Sequence, residues 1–532
     1  MRRLLAILVL TALVCPAQKT PANGSRKPDE ADVFFTKGII PRLEITLADE
    51  DLARIREKPR EYVRAKVVEN GRTTFADVGL KLKGAAGSFR EWDDRPALTL
   101  RMDKYGGEAA FHGLKKFHLN NSVQDSTYLH EWLGSHIFRS GKIPAARVSH
   151  ARVLLNGRDM GLYVLKEGFN EDFLSRSGRN PEGNLYDGGF CQDIDQKLNR
   201  NAGNQKNERA DLKALHAAAI EQDLALRWKR TGELIDVPEF LTFVALELMT
   251  GHWDGYALNR NNYRVYFDPT SGKASFLPHG MDQIFGDPNA SILDQPGAFV
   301  AAAVLKRPEW RTAFRKRMKE LLPLFSADRL TARVEEVADR LQPVLLAMNA
   351  EEARAHEQRV RELVNRLTAR ERSLKEQVNL PEPKPLAFRR NSPLVLTNWR
   401  PASESDDARL EELKIAGDRV YSIEGGKSGR CLASWRRSVL LAKGRYRFSA
   451  VASVREVVAL TEEDAPGSLV GLRTSGTKRE GGLGGTASLK NLTFEFEVEE
   501  DMRDVELVAE IRAKSGRVTF QVGSMKLTRL SP

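Results

Sequence analysis

Cysteine is almost missing from this chain, with three in 532 residues. Cys15 falls in an N-terminal apolar run, and Cys191 and Cys431 stand far apart without the neighbours of a metal site. That excludes a disulfide framework and a thiolate metal centre, and leaves both as buried or idle thiols. Long apolar runs are missing as well. Beyond Val14 nothing approaches the roughly 18 uninterrupted apolar residues of a membrane span, so no transmembrane anchor is expected. Although the net charge is +11, no stretch interleaves basic and aromatic residues as a nucleic-acid platform would, which argues against nucleic-acid binding. The excess charge favours acidic partners, such as anionic wall polymers, phosphorylated ligands or acidic proteins.

What is present begins with an export signal. Arg2 and Arg3, the apolar core Leu4 to Val14 and the small residue Ala17 read as a signal peptide over residues 1–17. A polar, flexible leader follows over 18–32, and a secreted, periplasmic or cell-envelope location is expected. The length suggests two or three domains. Residues 33–290 read as mixed α+β, with strands of an antiparallel sheet at Tyr62–Glu69, Phe75–Lys83 and Ala97–Met102 and a helix over Ser126–Ser140. Residues 291–379 read as a helical extension, 380–392 as a proline-rich linker. Strand-like runs separated by Gly, Asp and Lys turns make 393–532 a β-sandwich of jelly-roll type. Trp399, Trp435, Tyr421 and Tyr446 are candidates there for a glycan-binding face.

The chemistry concentrates between His252 and Gly286. Asp254 stands five residues before Asn259; Asn261 and Asn262 follow, and Asp282 comes after a predicted hairpin. Protein kinases use that order of parts: an Asp that orients the hydroxyl, an amide on the metal, and a metal-binding Asp past a hairpin. Asp254 is then the catalytic group, with Asn259 or Asn262 and Asp282 as ligands of Mg²⁺. The competing reading makes the same residues ordinary turn formers. Three features accompany the motif. Lys83-Gly-Ala-Ala-Gly-Ser88-Phe-Arg90 is a small-residue loop after a strand, open to phosphate or simply a turn. Asp125 or Ser126 is placed to cap the helix that follows. Lys166 and Glu167 lie adjacent at a strand end, beside the nucleotide or as a surface pair.

The runs LNNSVQDSTYLHEWLG, PAARVSHARVLLNGRDMGLYVLKEGFNEDFL, HWDGYALNRNNYRVYFD and FLPHGMDQIFG resemble the CotH kinase family, the spore coat protein H type of atypical secreted kinase, over roughly residues 35–290. The resemblance implies an atypical protein-kinase-like domain, ATP with Mg²⁺ (or Mn²⁺) as cofactors, and transfer of the γ-phosphate to Ser or Thr of secreted or surface proteins. By it Asp254, Asn262 and Asp282 match the family's loop Asp, amide and second Asp. Two departures stand out. His279 and Gly280 replace a Trp and an Asp, removing one carboxylate from the metal end. Arg95-Pro96-Ala97 replaces a lysine pair, leaving Arg95, Arg101 or Lys83 to hold phosphate.

Two functions are therefore expected: an exported Ser/Thr kinase-like phosphotransferase, or a catalytically weak or inactive scaffold or adhesion protein of the cell envelope. A carboxylate-pair hydrolase is disfavoured, because two acids flanking a hairpin carry no sign of the spacing glycoside chemistry needs.

Overall fold

The computed structural model describes residues 29–106, 109–204, 208–294, 296–381, 384–389, 392–415, 417–460, 469–478 and 482–531. The signal segment and most of the leader lie outside these. The chain divides into two compact units, Met1–Leu380 and Pro381–Pro532.

The first unit opens with α1 (Glu30–Lys37), a correction to the leader expected to run flexibly to residue 32. Asp29 and Asp32 form a capping box, and Arg147 Nη1 donates to Asp32 Oδ1 at 2.5 Å. After β1 (Arg42–Thr46) and α2 (Asp49–Glu57) come β2 (Val63–Glu69), β3 (Thr73–Lys83), β4 (Ala97–Arg101) and β5 (Lys116–Asn120). Next are α3 (His130–Ser140), β6 (Val148–Leu155) and β7 (Arg158–Glu167). The expected antiparallel sheet is instead a closed barrel, in the order β1-β2-β3-β4-β5-β7-β6, sealed by the parallel pair β1–β6. Closure leaves no sheet edge and packs Ile45, Val67, Leu80, Leu98 and Leu165 inside. The alternate residues point outward. Register sets Lys81 beside Thr99, Thr99 beside His118, and His118 beside Lys166, a polar row across four strands. Helix α3 starts four residues later than expected. Asp125 accepts from Thr127 N, Thr127 Oγ1 and His130 N, so it caps the turn before the helix.

The rest of the unit is helical around a small sheet. It contains α4 (Glu171–Arg176), β8 (Asn184–Asp187), β9 (Asn199–Ala202), α5 (Ala210–Ala219), α6 (Leu224–Leu234) and α7 (Val237–Thr250). Then follow α8 (Tyr256–Asn259), β10 (Tyr263–Phe267), β11 (Ala274–Pro278), α9 (Phe299–Leu305), α10 (Pro308–Leu321), α11 (Ala327–Met348) and α12 (Ala350–Gln377). The hairpin β10–β11 joins β8 and β9 in the order β11-β10-β8-β9. The central helix α7 is buried from Phe240 to Thr250. Long α12 is fastened beneath it by Arg370, whose guanidinium donates to Met249 O (3.0 Å), Leu248 O (2.7 Å), Pro288 O (3.1 Å) and Ala290 O (2.5 Å). Those carbonyls belong to the α7 C-terminus and to the loop after Asp282, where buried acceptors need a donor; Leu248 O also accepts from Gly251 N, and Ala290 O from Gln377 Nε2.

The second unit is all β. It comprises β12 (Leu394–Val395), β13 (Arg400–Ser403), β14 (Arg409–Ile415), β15 (Asp418–Glu424), β16 (Cys431–Ala459), β17 (Leu469–Thr474), β18 (Gly485–Gln521) and β19 (Lys526–Ser531). The separate runs read at Val439–Leu441 and Gly444–Val451 belong to one 29-residue strand. At about 3.3 Å per residue such a strand must bend to stay in a small unit. The two faces expected of a sandwich are thus made by one eight-stranded sheet folded over a single core. That core claims the four aromatics expected on a glycan face. Trp399 stacks on Phe448, Tyr421 on Trp435 at 4.3 Å, and Tyr446 is fully buried. The expected linker is part of this unit from Leu386, whose N–H donates to Leu440 O (2.9 Å).

Candidate functional site

A cleft of about 360 Å³ opens in the first unit between the outer face of the barrel and the loops around β10–β11. Asp254 stands at its edge because α7 ends at Gly251, left-handed at φ 67°, and the chain re-enters a helix at Tyr256. The buried Glu247 carboxylate fixes that turn by accepting from Tyr256 N and Ala257 N, both at 2.9 Å. Burial pushes Glu247 up to about 8 despite those two donors.

Three amides hold Asp254. Asn259 donates to Oδ1; Asn261 (3.0 Å) and Asn262 (2.8 Å) donate to Oδ2, and Asn262 also reaches the Asp254 carbonyl at 3.1 Å. A carboxylate offers about four acceptor directions. With three filled, Asp254 keeps one for a hydroxyl.

Asp282 also lines the cleft, in the turn after β11, its backbone carbonyl accepting from His130 Nδ1 at 2.9 Å. Burial first, then the Glu131 and Asp125 carboxylates, push Asp282 up to about 6. His252, pushed down to about 4 by burial, donates from Nε2 to Gly280 O at 3.1 Å and ties the two turns together. Gly280 is left-handed at φ 54°, and a Cβ there would stand 2.1 Å from Asn262 Oδ1. The amide that holds Asp254 therefore fills the place of a side chain at 280. His279 packs edge-on to Phe169 at 5.6 Å and accepts from Lys166 Nζ at 3.2 Å.

Glu131, which lines the cleft, forms a buried ion pair at 2.8 Å with Lys166 behind it, the side chains 2% and 0% exposed. Lys83 bonds Asn120 Oδ1, and burial together with the Lys166 charge pushes it down to about 8. Lys116 donates to Phe169 O at 3.2 Å and is likewise pushed down to about 8, by burial and then Arg264. Arg264 pairs with Asp187 at 2.9 Å. The loop after β3 lines the cleft too, with Gly84 and Gly87 at φ 105° and 82° and Ser88 Oγ accepting from Ala85 N.

Of the residues expected from sequence, Lys83, Ser88, Asp254, Asn262 and Asp282 meet in the cleft. The others do not line it. Asn259 sits behind Asp254 beside Cys191. Lys166 is one layer back. Arg90 bonds its own loop carbonyls, and Arg95 donates to Leu162 O at 2.6 Å between Tyr128 and Tyr163. Arg101 pairs with Asp103, and Glu167 is clamped by Arg147 and Arg176. Sequence reasoning missed Arg60, Lys81, Lys116, His118, Glu131 and Arg264. A signal existed in Lys116-Phe-His118-Leu-Asn120, whose polar residues alternate and so share one strand face.

Among the described residues no three His, Cys, Asp or Glu side chains converge as a metal site. One carboxylate, Asp282, and the Asn262 carbonyl suit a hard cation that brings its own oxygens, as Mg²⁺ does with phosphates and water.

The family described as "CotH kinase protein" matches residues 80–374, so the likeness extends through α12 rather than ending near 290. "Invasin CotH2" of Rhizopus delemar is 23% identical over 376 residues, covering 63% of this chain and 62% of the relative. "Inner spore coat protein H" of Bacillus subtilis is 20% identical over 261 residues, covering 44% of this chain and 70% of the relative. The chain thus spans just over three-fifths of the length of the first of these relatives. Among solved structures, TmCBM61 with β-1,4-galactotriose matches 25% of this chain and 88% of its own at 16% identity, with a TM-score of 0.18. With more than half its length matched, the chain belongs to the CotH kinase protein family.

Proposed function

We propose that this chain is an exported, atypical kinase-like phosphotransferase that moves the terminal phosphoryl group of Mg-ATP to Ser or Thr hydroxyls of secreted or surface proteins. The observation that carries this reading is Asp254, held by three amides with one acceptor direction left, in the same cation-lined cleft as Asp282. When bound, Mg-ATP supplies the phosphoryl group and offsets its charge. Asp254 accepts the hydrogen bond of the acceptor hydroxyl and takes its proton. Lys83 and Lys116 hold phosphate oxygens, and Asp282 with Asn262 holds the cation. The buried Glu131–Lys166 pair joins α3 to β7, a helix-to-strand ion pair of the kind kinases use. Export rests on the N-terminal signal; no helix among the described residues is long and apolar enough to cross a membrane.

The test is the full chain with labelled ATP and Mg²⁺ or Mn²⁺. Label on the protein or on a generic acceptor is expected, and neither binding nor label would sink the reading. Asp282→Ala is expected to lose cation-dependent nucleotide binding. Because Asp282 must be ionised to hold a cation and titrates at about 6, cation affinity in the wild type should fall as pH drops below that value. The slope for one competing proton is about tenfold per pH unit, and calorimetry from pH 7 to 5 checks it. A flat profile would remove Asp282 from the site.

A second reading, a non-catalytic envelope scaffold, is favoured by Gly280, where the resembling family carries an acid. ATP binding without label would select it. Restoring the acid does not rescue catalysis. Gly280→Asp forces a side chain onto Asn262 and a left-handed backbone costing about 1–2 kcal/mol. Transfer is expected to fall by about 10–100-fold as Asp254 loses its amide; a rise would mean that the acid, not the amide, belongs there.

A further inference from the structure

Lys166 is fully spent before it can reach the cleft. An ammonium has three N–H groups and accepts nothing. Here two reach Glu131, at 3.0 Å to Oε1 and 2.8 Å to Oε2, and the third reaches His279 Nδ1 at 3.2 Å. In protein kinases the lysine of such an ion pair also touches the nucleotide phosphates. Lys166 is 0% exposed, lies behind the lining of the cleft, and has no hydrogen left for that contact.

His279 is in the lining. Its backbone N–H donates to Asn262 O at 2.9 Å, its ring stands edge-on to Phe169 at 5.6 Å, and Nδ1 is bound by Lys166, so the ring is held on three sides. Because an ammonium only donates, Nδ1 is the acceptor, and a neutral imidazole then carries its proton on Nε2. Burial, and next the charge of Arg264, push His279 well below its ordinary range and keep the ring neutral. Among the described residues Nε2 has no hydrogen-bond partner. The cleft wall therefore holds one ring N–H, of fixed tautomer, that the protein itself does not use. Lys83, which holds phosphate in the reading above, is among the charges that act on this ring. A donor placed there suits the same anionic oxygens.

We propose that His279 binds the phosphoryl donor: its Nε2–H bonds a phosphate oxygen of Mg-ATP in place of the spent lysine. Glu131, Lys166 and His279 then form a hydrogen-bonded relay from α3 through β7 to the phosphates. This rests on the phosphotransferase reading and adds a binding residue to the same site.

Calorimetry with Mg-ATP on the full chain compares the wild type with His279→Phe and His279→Trp. Both variants take the acceptor from Lys166, and only tryptophan keeps a ring N–H. His279→Phe is expected to weaken Mg-ATP by about 10–100-fold, the loss of one hydrogen bond to a charged partner. His279→Trp is expected to bind at least about tenfold more tightly than His279→Phe. Equal weakening by the two would overturn the proposal, since it would trace to Lys166 or to packing. A second measurement, ¹⁵N-histidine NMR of the wild type, does not depend on how a variant folds. The signal absent from His279→Phe should show a proton on Nε2 and none on Nδ1 near neutral pH, and Nε2 should shift on adding Mg-ATP. A proton on Nδ1 would sink the inference. Mg-ATP binding with the Nε2 signal unmoved removes this inference and leaves the phosphotransferase, whereas no Mg-ATP binding by the wild type removes both.

Discussion

Asp254→Ala is expected to lower phosphoryl transfer by about 10²–10⁴-fold while nucleotide binding changes little, because a positioned base acts on the hydroxyl and not on the donor. The variant also strips three amides of their acceptor, and Asn261 is buried. Asp254→Asn keeps the volume and part of that hydrogen bonding, so it separates loss of the base from collapse of the loop. Both variants should show the single-turnover defect, and only alanine should loosen the amides of residues 256–262 in hydrogen exchange. Equal transfer by wild type and Asp254→Asn would remove Asp254 from the chemistry.

Glu131→Leu should strongly destabilise the first unit. It leaves the Lys166 ammonium, 0% exposed, without its carboxylate. Breaking a fully buried pair from one side costs about 3–5 kcal/mol, because the remaining charge is stranded in low dielectric. Lys83 and Arg264 nearby are of the same sign and offer no relief. Hydrogen exchange along α3 and β7 reports the loss locally, apart from the second unit. Glu131→Leu combined with Lys166→Met is expected to recover most of it, since a matched apolar pair carries no desolvation cost. If the single variant exchanged like wild type, the pair would contribute nothing to holding the helix against the barrel.

The hairpin between Asp254 and Asp282, and the apolar helix leading to it, were readable because both signals are local. Phe240 to Met249 is a mostly apolar stretch broken by Thr242 and Glu247, and Asp254, Asn259 and Asn262 lie within nine residues of each other. What escaped depends on which strands become neighbours. Glu131 and Lys166 are 35 residues apart and meet only because α3 folds across β7. Lys81 and His118 share a row through the register of β4, which alternation alone does not fix. Arg95 and Glu167 looked available because their partners, a carbonyl at Leu162 and two arginines, come from other segments, whereas Arg90 and Arg101 turn back on their own neighbours, Gly87, Phe89 and Asp103. Closure of the barrel was invisible for the same reason. The strands that seal it, β1 and β6, are separated by about a hundred residues of other structure.

Arg370 sets a practical limit on how the chain can be cut. The recognisable motifs end near residue 290, and a fragment stopped there would seem to hold every chemical group named above. It would also take the Arg370 donor from the carbonyls of Leu248, Met249, Pro288 and Ala290, of which Leu248 alone keeps a backbone donor, Gly251 N. Those carbonyls belong to the last turn before Asp254 and to the segment just after Asp282. Recombinant pieces meant to measure this chemistry therefore have to reach Gln377, and an inert shorter piece would report a missing brace rather than an inert enzyme.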